Sequence, residues 1–550
     1  MTLLIAALLA AAAQATTPAP EARLVAAPEK PAAPAAAKKE PPKPLFEPSE
    51  VRSSGSVTVR GRRIAYQAVA GTLVVHSKGW EDTDALDAQA GGDEKKSDDE
   101  EEDKDEKPKA EASMFYVAYF RSGTPSASRP ITFLFNGGPG SSTVWLHMGA
   151  FGPLRVQTAD AAHTAAPYTT VNNEESLLDA SDLVFIDAPG TGFSRIAGKE
   201  KEKAFHGVDQ DIDAFTSFIT QFLTKYGRWN SPKYVFGESY GTMRGAGLAL
   251  ALQQREVDLS GLIMLSDILN WDLVPDDPQV NPGIDQPYVV SLPTYAATAW
   301  YHSRIARPAG DLPAFLAQVE AFATGEYALA LSKGNELPPE ERQRIAEKLA
   351  AFTGLSVPYL LKTNLRIEYG AFQKELFGNE QLTVGTLDTR FSGATLDPLA
   401  KVAQYDPQSS AISAAYVAAF NSYVRDRLHF APEIEFKPEI DIYKDWDYKH
   451  QPPGADKPLI ALPNVLPDLA VAMKQNPHMK VMVNGGYYDV STPYFAGVYE
   501  LRHLPVPANL AANIEYRYYE SGHMVYAHLP SLKALHDNVA EFIGRTSGGN

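Results

Sequence analysis

The sequence predicts an α/β fold with a mostly parallel central sheet, flanking helices and an inserted helical cap. Two observations carry this. Short unbroken apolar runs, "ITFLF" (131–135), "LVFID" (183–187), "YVF" (234–236), "LIML" (262–265) and "VMV" (481–483), have the length and composition of strands buried on both faces, and helical segments lie between several of them. From about residue 275 to 440 the pattern changes to amphipathic helices, a block set between two groups of sheet strands. A chain of 550 residues can hold a large core and more than one domain.

Taken in order, "MTLLIAALLAAAAQA" (1–15) reads as a secretory signal. Its apolar run is too short to span a bilayer easily, and Ala13-Gln14-Ala15 forms an A-x-A cleavage site, although no Lys or Arg precedes it. Residues 16–45 are rich in Pro, Ala and Lys without periodicity and read as a disordered tether. The first part of the α/β core is expected over 46–274. It opens with "SVTVRGRRIAYQAVAGTLVV" (56–75), which alternates like half-buried strands with Gly turns. An acidic run (81–112) follows, and strands resume at "MFYVAYF" (114–120). From Glu81 to Lys109 there are 14 acidic and 5 basic residues, which accounts for −9 of the chain's net charge of −17. Blocks of like charge are usually disordered, so a solvated loop interrupting a hairpin is expected rather than a cation or partner site.

Further along, "DAFTSFITQFLTKY" (213–226) sets Phe215, Phe218, Ile219 and Phe222 on one helical face. In the cap block (275–440), "PAFLAQVEAFA", "PPEERQRIAEKLAAFTG" and "AISAAYVAAFNSYV" are three amphipathic helices. The second carries Ile345, Leu349 and Phe352, with Gly354 as its stop. The second part of the core is expected over 441–550. Bulk properties narrow the function. The chain has no cysteine, hence no disulfide, thiol nucleophile or cysteine metal site. Its negative charge argues against nucleic acid as a partner. No run after the N-terminus reaches 18 apolar residues, so no membrane span is expected, and the N-terminal signal implies a periplasmic or secreted protein.

The chemistry begins at "YVFGESYGTMRG" (234–245). Ser239 follows a strand and precedes a helix candidate, with glycines at 237 and 241, the strand–turn–helix setting of a nucleophile elbow. A serine nucleophile needs a base and a group that orients the base. "VMVNGGYYDVSTPY" places Asp489 just after a strand, and "IEYRYYESGHMVY" places His523 just after another. The order Ser239, Asp489, His523 is the one this strand–turn–helix arrangement requires. His528 and Asp267 are the rival candidates. "FNGGPGSST" (135–143) stands at the end of an earlier strand, and its glycines leave backbone N–H groups free to point into a site.

Together, "NGGPGSS", "FIDAPGTGFSR", "GESYG", "GGYYD" and "SGHMV" resemble the serine carboxypeptidase family of the α/β-hydrolase fold, in that family's order and as a bacterial-type member. The resemblance covers roughly 115–270 and 475–545, is weak in the cap and is absent from the tether and acidic run. It implies that Ser239, Asp489 and His523 form the triad and that the N–H groups of Gly138 and Tyr240 form the oxyanion hole. It also implies that Asn136, Gly137 and Glu238 hold the terminal carboxylate of a substrate. Departures are visible. The family usually carries a second glutamate where "GAFGP" has Ala150, and "ESYGGHY" becomes "ESYGTMRG". "DAPGTG" is one residue shorter than the commoner form, and the family's cysteine is Ser141.

The expectation is therefore a serine-type carboxypeptidase acting on peptides with a free C-terminus, with no metal or organic cofactor. Two other readings fit the same residues. One is an esterase or acyltransferase using the same triad, since Ala150 touches carboxylate recognition. The other is a non-catalytic extracytoplasmic binding protein on a hydrolase scaffold.

Overall fold

The computed structural model describes residues 44–79, 109–124, 126–274, 281–307, 310–430, 433–459 and 462–548. The signal segment, the tether up to residue 43 and residues 81–108 of the acidic run lie outside the described residues. The end of that run is not loop. Glu111 and Ala112 already pair with His76 and Val75 across the sheet, and Ala112 is fully buried.

Among the described residues the main sheet has ten strands, nine of them in line: β1 (Glu50–Val59), β2 (Arg62–His76), β3 (Glu111–Arg121), β4 (Ile131–Phe135), β5 (Asp182–Ile186), β6 (Lys233–Glu238), β7 (Gly261–Leu265), β8 (Lys480–Gly486) and β9 (Ile514–Tyr519). Their spatial order is β1-β2-β3-β5-β4-β6-β7-β8-β9, with the short strand Arg195–Ala197 also on β3. The first three strands and the β3–β5 contact are antiparallel; from β5 to β9 every neighbour is parallel. This is an α/β-hydrolase sheet. Between β1 and β2 the chain turns at Arg60–Gly61. Gly71, read from the sequence as a second turn, lies inside β2 instead. There a Cβ would come within 2.4 Å of the Ser49 carbonyl oxygen, so glycine serves close approach rather than reversal.

Alternate residues of the parallel strands feed opposite faces. Phe133, Phe135, Val184 and Ile186 enter one core with Phe215, Phe218 and Phe222 of helix α1 (Val208–Tyr226) and Leu248 of helix α2 (Tyr240–Gln253). Leu134, Leu183 and Phe185 enter the other. Helix α1 stops at Gly227, whose φ of 63° supplies the left-handed cap. The cap runs between β7 and β8, from helix α3 (Gln286–Tyr301) to helix α4 (Pro407–Asp426). Its helices pack around Tyr295, Leu316, Leu349 and Phe372 in a third core that also takes in Tyr488, Tyr494 and Phe495 from the segment after β8, while α4 packs into the second sheet core through Tyr416 and Phe420. Among the described residues no helix is long and apolar enough to cross a membrane.

Candidate active site

The parallel strands all end on one side of the sheet, where open α/β folds bind their ligands. Asn136–Gly138 follow β4, Ser239 follows β6, Asp267 follows β7, Asp489 follows β8 and His523 follows β9. Ser239 sits at φ 61°, ψ −132°, a conformation strained for a residue with a side chain. Its neighbours hold it there. Ser239 N donates to Leu265 O at 2.9 Å, and Thr242 N donates to Ser239 O at 2.8 Å. Gly237 is sterically required, and Gly241 is tightly confined. A Cβ on Gly237 would lie 2.0 Å from Gly241 O, and one on Gly241 would lie 3.0 Å from Phe135 O. Ser239 is half-buried, at the N-terminus of α2.

The glycine loop after β4 lies directly on this elbow. A Cβ on Gly137 would meet Tyr240 N at 2.5 Å and Gly241 N at 2.6 Å. That closeness sets the Gly137 backbone against that of Tyr240, next to Ser239, with Gly138 following in the same cavity wall. Gly138 has φ 104°, open to glycine alone. Three buried contacts fix the loop from behind. Thr143 N donates to Asp187 Oδ1 (2.8 Å), Leu146 N donates to Asn136 Oδ1 (3.1 Å), and Arg244 donates to Asn136 O (2.7 Å) while pairing with Asp211 (2.7 Å). Arg244 is fully buried. The segment after the cap lies over the loop as well: Ile440 N donates to Gly140 O, and Tyr443 OH donates to Gly138 O at 3.3 Å.

Asp489 and His523 are hydrogen-bonded, Nδ1 to Oδ2, at 2.7 Å. Asp489 also accepts from Ser491 N (2.9 Å) and Thr492 N (3.0 Å) on Oδ1, and from Thr492 Oγ1 (2.7 Å) on Oδ2. Burial works against the imidazolium of His523. The charge and hydrogen bond of Asp489, with Glu238 and Asp406, outweigh it, so its pKa is raised above the ordinary histidine value. The cap grips this loop. His523 N donates to Leu387 O, and a Cβ on Gly522 would lie 2.4 Å from that of Asp388.

Glu238 is 2% exposed and accepts from Asn136 Nδ2 (2.8 Å) and from Tyr526 OH (3.1 and 3.0 Å to its two oxygens). Burial pushes its pKa up to about 7, against the opposing pull of His523, Tyr526 and Asn136. Asn136, Gly137, Gly138, Glu238, Ser239 and His523 line one cavity of about 270 Å³, closed by Trp145, Met524 and, from the cap, Leu387, Ser409 and Ser413. Ala150 is fully buried in the core, inside the turn Leu146–Phe151.

The rivals stand elsewhere. His528 Nδ1 pairs with Ser531 Oγ (2.8 Å) and lines a separate cleft with Arg155 and Tyr526. Asp267 is buried beneath helix α5 (Tyr494–Arg502), and burial pushes its pKa up to about 7. A larger cavity of about 530 Å³ lies around His450, which is held between Asp209 (2.7 Å) and Asp468 (2.8 Å). Those two bonds outweigh burial and raise the His450 pKa to about 9. Glu175, His536 and Asp537 lie close enough to share a metal ion, but Arg60 already pairs with both acids, so the group reads as an ion-pair network.

Sequence reasoning missed Thr492, Tyr526, Arg244 and Leu387. Thr492 had a signal, because an Asp followed by Ser and Thr at the second and third positions is an Asx-turn pattern. The others come together only through the fold.

Comparison with known proteins agrees with the motifs. Residues 105–265 match the family model described as serine carboxypeptidase. The chain is 26% identical over 168 residues to a pheromone-processing carboxypeptidase of Aspergillus niger, covering 30% of this chain and 25% of that protein. It is 35% identical over 140 residues to a protein of the same name in Yarrowia lipolytica (25% and 21%). It is 29% identical over 178 residues to serine carboxypeptidase-like 51 of Arabidopsis thaliana (30% and 35%). The matches thus span about a third or less of each relative's length. Among solved structures, a proline iminopeptidase of Mycobacterium smegmatis aligns over 79% of this chain and 96% of its own at 14% identity, with a TM-score of 0.34.

Proposed function

We propose that this chain is a serine-type carboxypeptidase that releases C-terminal amino acids through an acyl-enzyme on Ser239. One observation carries the reading. A buried, protonatable Glu238, held by Asn136, opens on the same cavity as Ser239 and His523. A neutral acid there can donate to a substrate carboxylate, which an ionised one would repel. Ser239 Oγ attacks the last peptide carbonyl while His523 Nε2 takes its proton. Asp489 on Nδ1 fixes the imidazole tautomer and stabilises the imidazolium. The N–H groups of Gly138 and Tyr240 receive the oxyanion. His523 then protonates the departing amine, and water repeats the sequence on the acyl-enzyme.

The pH dependence follows from two groups. Glu238 recognises the carboxylate while protonated, so recognition is present below about pH 7 and fades as pH rises through it. His523 must be neutral to act as a base, which sets the acid limit. The peptide profile should be a narrow bell, whereas an uncharged ester should lack the alkaline fall. Residues 1–15 support an extracytoplasmic location for the proposed enzyme.

An esterase reading draws on Ala150, which leaves Glu238 without a second carboxyl from that turn. Mass spectrometry of a peptide mixture before and after incubation, with Ser239→Ala as control, separates the two. The peptidase reading expects one-by-one loss of C-terminal residues. It also expects a 10–100-fold lower kcat/KM on amidated peptides, the worth of a hydrogen bond to a charged group. Turnover of acyl esters with no peptide trimming would establish the esterase instead.

A further inference from the structure

The carboxyl of Glu238 is held by more than Asn136. Asn136 Oδ1 accepts from Leu146 N (3.1 Å), which fixes the amide orientation and turns Nδ2 toward Glu238 Oε2 (2.8 Å). From a different element, the segment after His523, Tyr526 sends its hydroxyl to both Glu238 oxygens. Tyr526 is 3% exposed, and its ring is wedged against Gly149, where a Cβ would come within 2.6 Å of it and of Tyr416. The phenol therefore has one available direction. Burial, reinforced by Glu238 and Tyr416, raises its pKa well above the ordinary tyrosine value, so it stays a donor through neutral pH.

We infer that Tyr526 is the positioning residue of the terminal-carboxylate site: its hydroxyl, together with the neighbouring Asn136 amide, fixes the Glu238 carboxyl so that the acid's own proton faces the cavity. The inference rests on the carboxypeptidase reading and deepens it. Two donors occupy the protein-facing lone pairs of Glu238. A neutral acid held this way has its O–H left for a ligand. The groups facing Glu238 are His523 and Asp489 from the loops after β9 and β8, Asn136 from the loop after β4, Tyr416 from α4 and Tyr526 itself. Of the aromatic hydroxyls, only that of Tyr526 bonds to Glu238 among the described residues.

The sign of the effect is fixed. A donor to a carboxyl favours its charged form, so removing the Tyr526 hydroxyl lets Glu238 keep its proton to higher pH. Tyr526→Phe should move the alkaline limb of the peptide profile up by about one pH unit. It should also raise KM for free-acid peptides about tenfold with kcat within about threefold, because a loosened carboxyl binds worse without changing the chemistry. The preference for free over amidated peptides should shrink accordingly.

The experiment measures pH profiles and kcat and KM for one peptide as free acid and as amide, in wild type, Tyr526→Phe, Glu238→Gln and the double variant. In the Glu238→Gln background the Tyr526 substitution should no longer move the limb, since no acid remains for it to set. An unmoved limb in Tyr526→Phe, or equal losses on the free and amidated peptide, would overturn the role; so would the same limb shift with Gln at 238. If wild type itself fails to distinguish the two peptides, it is the carboxypeptidase reading that falls.

Discussion

Two adjacent strand ends each carry an aspartate, and the sequence does not say which one can serve a histidine. Asp267 follows β7 and Asp489 follows β8; both are buried. What differs is the supply of donors. Asp489 begins an Asx turn and accepts from two backbone N–H groups, the Thr492 hydroxyl and His523. Asp267 Oδ2 has no donor among the described residues, and helix α5 closes on it so tightly that a Cβ on Gly497 would lie 2.2 Å away. Glu500 of α5 stands near it, with a pKa raised well above normal by burial and by Asp267. One strand end surrounds its carboxyl with donors; the other buries its carboxyl with an oxygen left unpartnered among the described residues. A position at the end of a parallel strand selects candidates, and the local hydrogen-bond supply chooses between them.

The strongest way to break this comparison is to exchange the acids for amides. Asp489→Asn should lose roughly 10⁴ in kcat with the fold intact, because the amide leaves the imidazole in the wrong tautomer. Asp267→Asn should stay within about threefold, since among the described residues the Asp267 carboxyl makes no hydrogen bond to His523, whose Nδ1 is bonded to Asp489. Steady-state kinetics on a peptide or an ester decides. A larger loss at 267 than at 489 would reverse the roles assigned to the two strand ends.

A smaller effect tests the donors themselves. Thr492→Val keeps shape but removes the hydroxyl that donates to Asp489 Oδ2 and lies 3.2 Å from His523 Nδ1. A hydrogen bond to a charged group is worth about 1.5–3 kcal/mol, and part of that should appear as misorientation of the imidazole. We expect kcat about tenfold lower with KM little changed. Unchanged kcat would mean the two backbone donors alone position Asp489.

The strands on which this site stands were legible in the sequence because their signals are local. "ITFLF", "LVFID" and "LIML" are buried on both faces, and such runs need no partner to be recognised. The elbow was legible for a similar reason: Gly237 is imposed by a contact within a few residues of Ser239, and Gly241 is confined by β4. Gly71 shows the opposite case. Its constraint comes from Ser49, 22 residues away, and the sequence offered a turn where the fold needs a close approach. Tyr526 and Leu387 were invisible for the same reason. The Tyr526 hydroxyl matters only because the segment after β9 reaches back across β7 and β8 to the end of β6, and Leu387 only because the cap folds back onto His523. Contacts between distant segments leave no period or spacing to read.

The smallest readout, a few degrees of melting temperature, follows from the proton on Asp267. Burial pushes its pKa in the folded chain to about 7, with Asp489 adding in the same direction. The groups around it are Glu500 from α5, Tyr516 and Tyr518 from β9 and Asp489 after β8, so among the described residues no cation offsets the charge. In the unfolded chain an aspartate ionises near pH 3.9. Between those values the folded state binds the extra proton, so stability falls as pH rises and levels off above about 7. Asp267 alone withdraws up to about 4 kcal/mol across that window. Glu238 and Asp187, also pushed up to about 7 by burial, act with the same sign. His450 extends the trend, because a histidine pKa raised to about 9 contributes stability that is lost as pH climbs through that value. Wild type should therefore melt highest near pH 5 and lower at pH 8. Asp267→Asn cannot ionise, so it should lose less over the same range, closing the gap by a few degrees. Thermal melts of both proteins at pH 5 and pH 8 test this. Equal falls in the two would show that Asp267 keeps no proton in the folded chain, and the contrast with Asp489 would then rest on geometry alone.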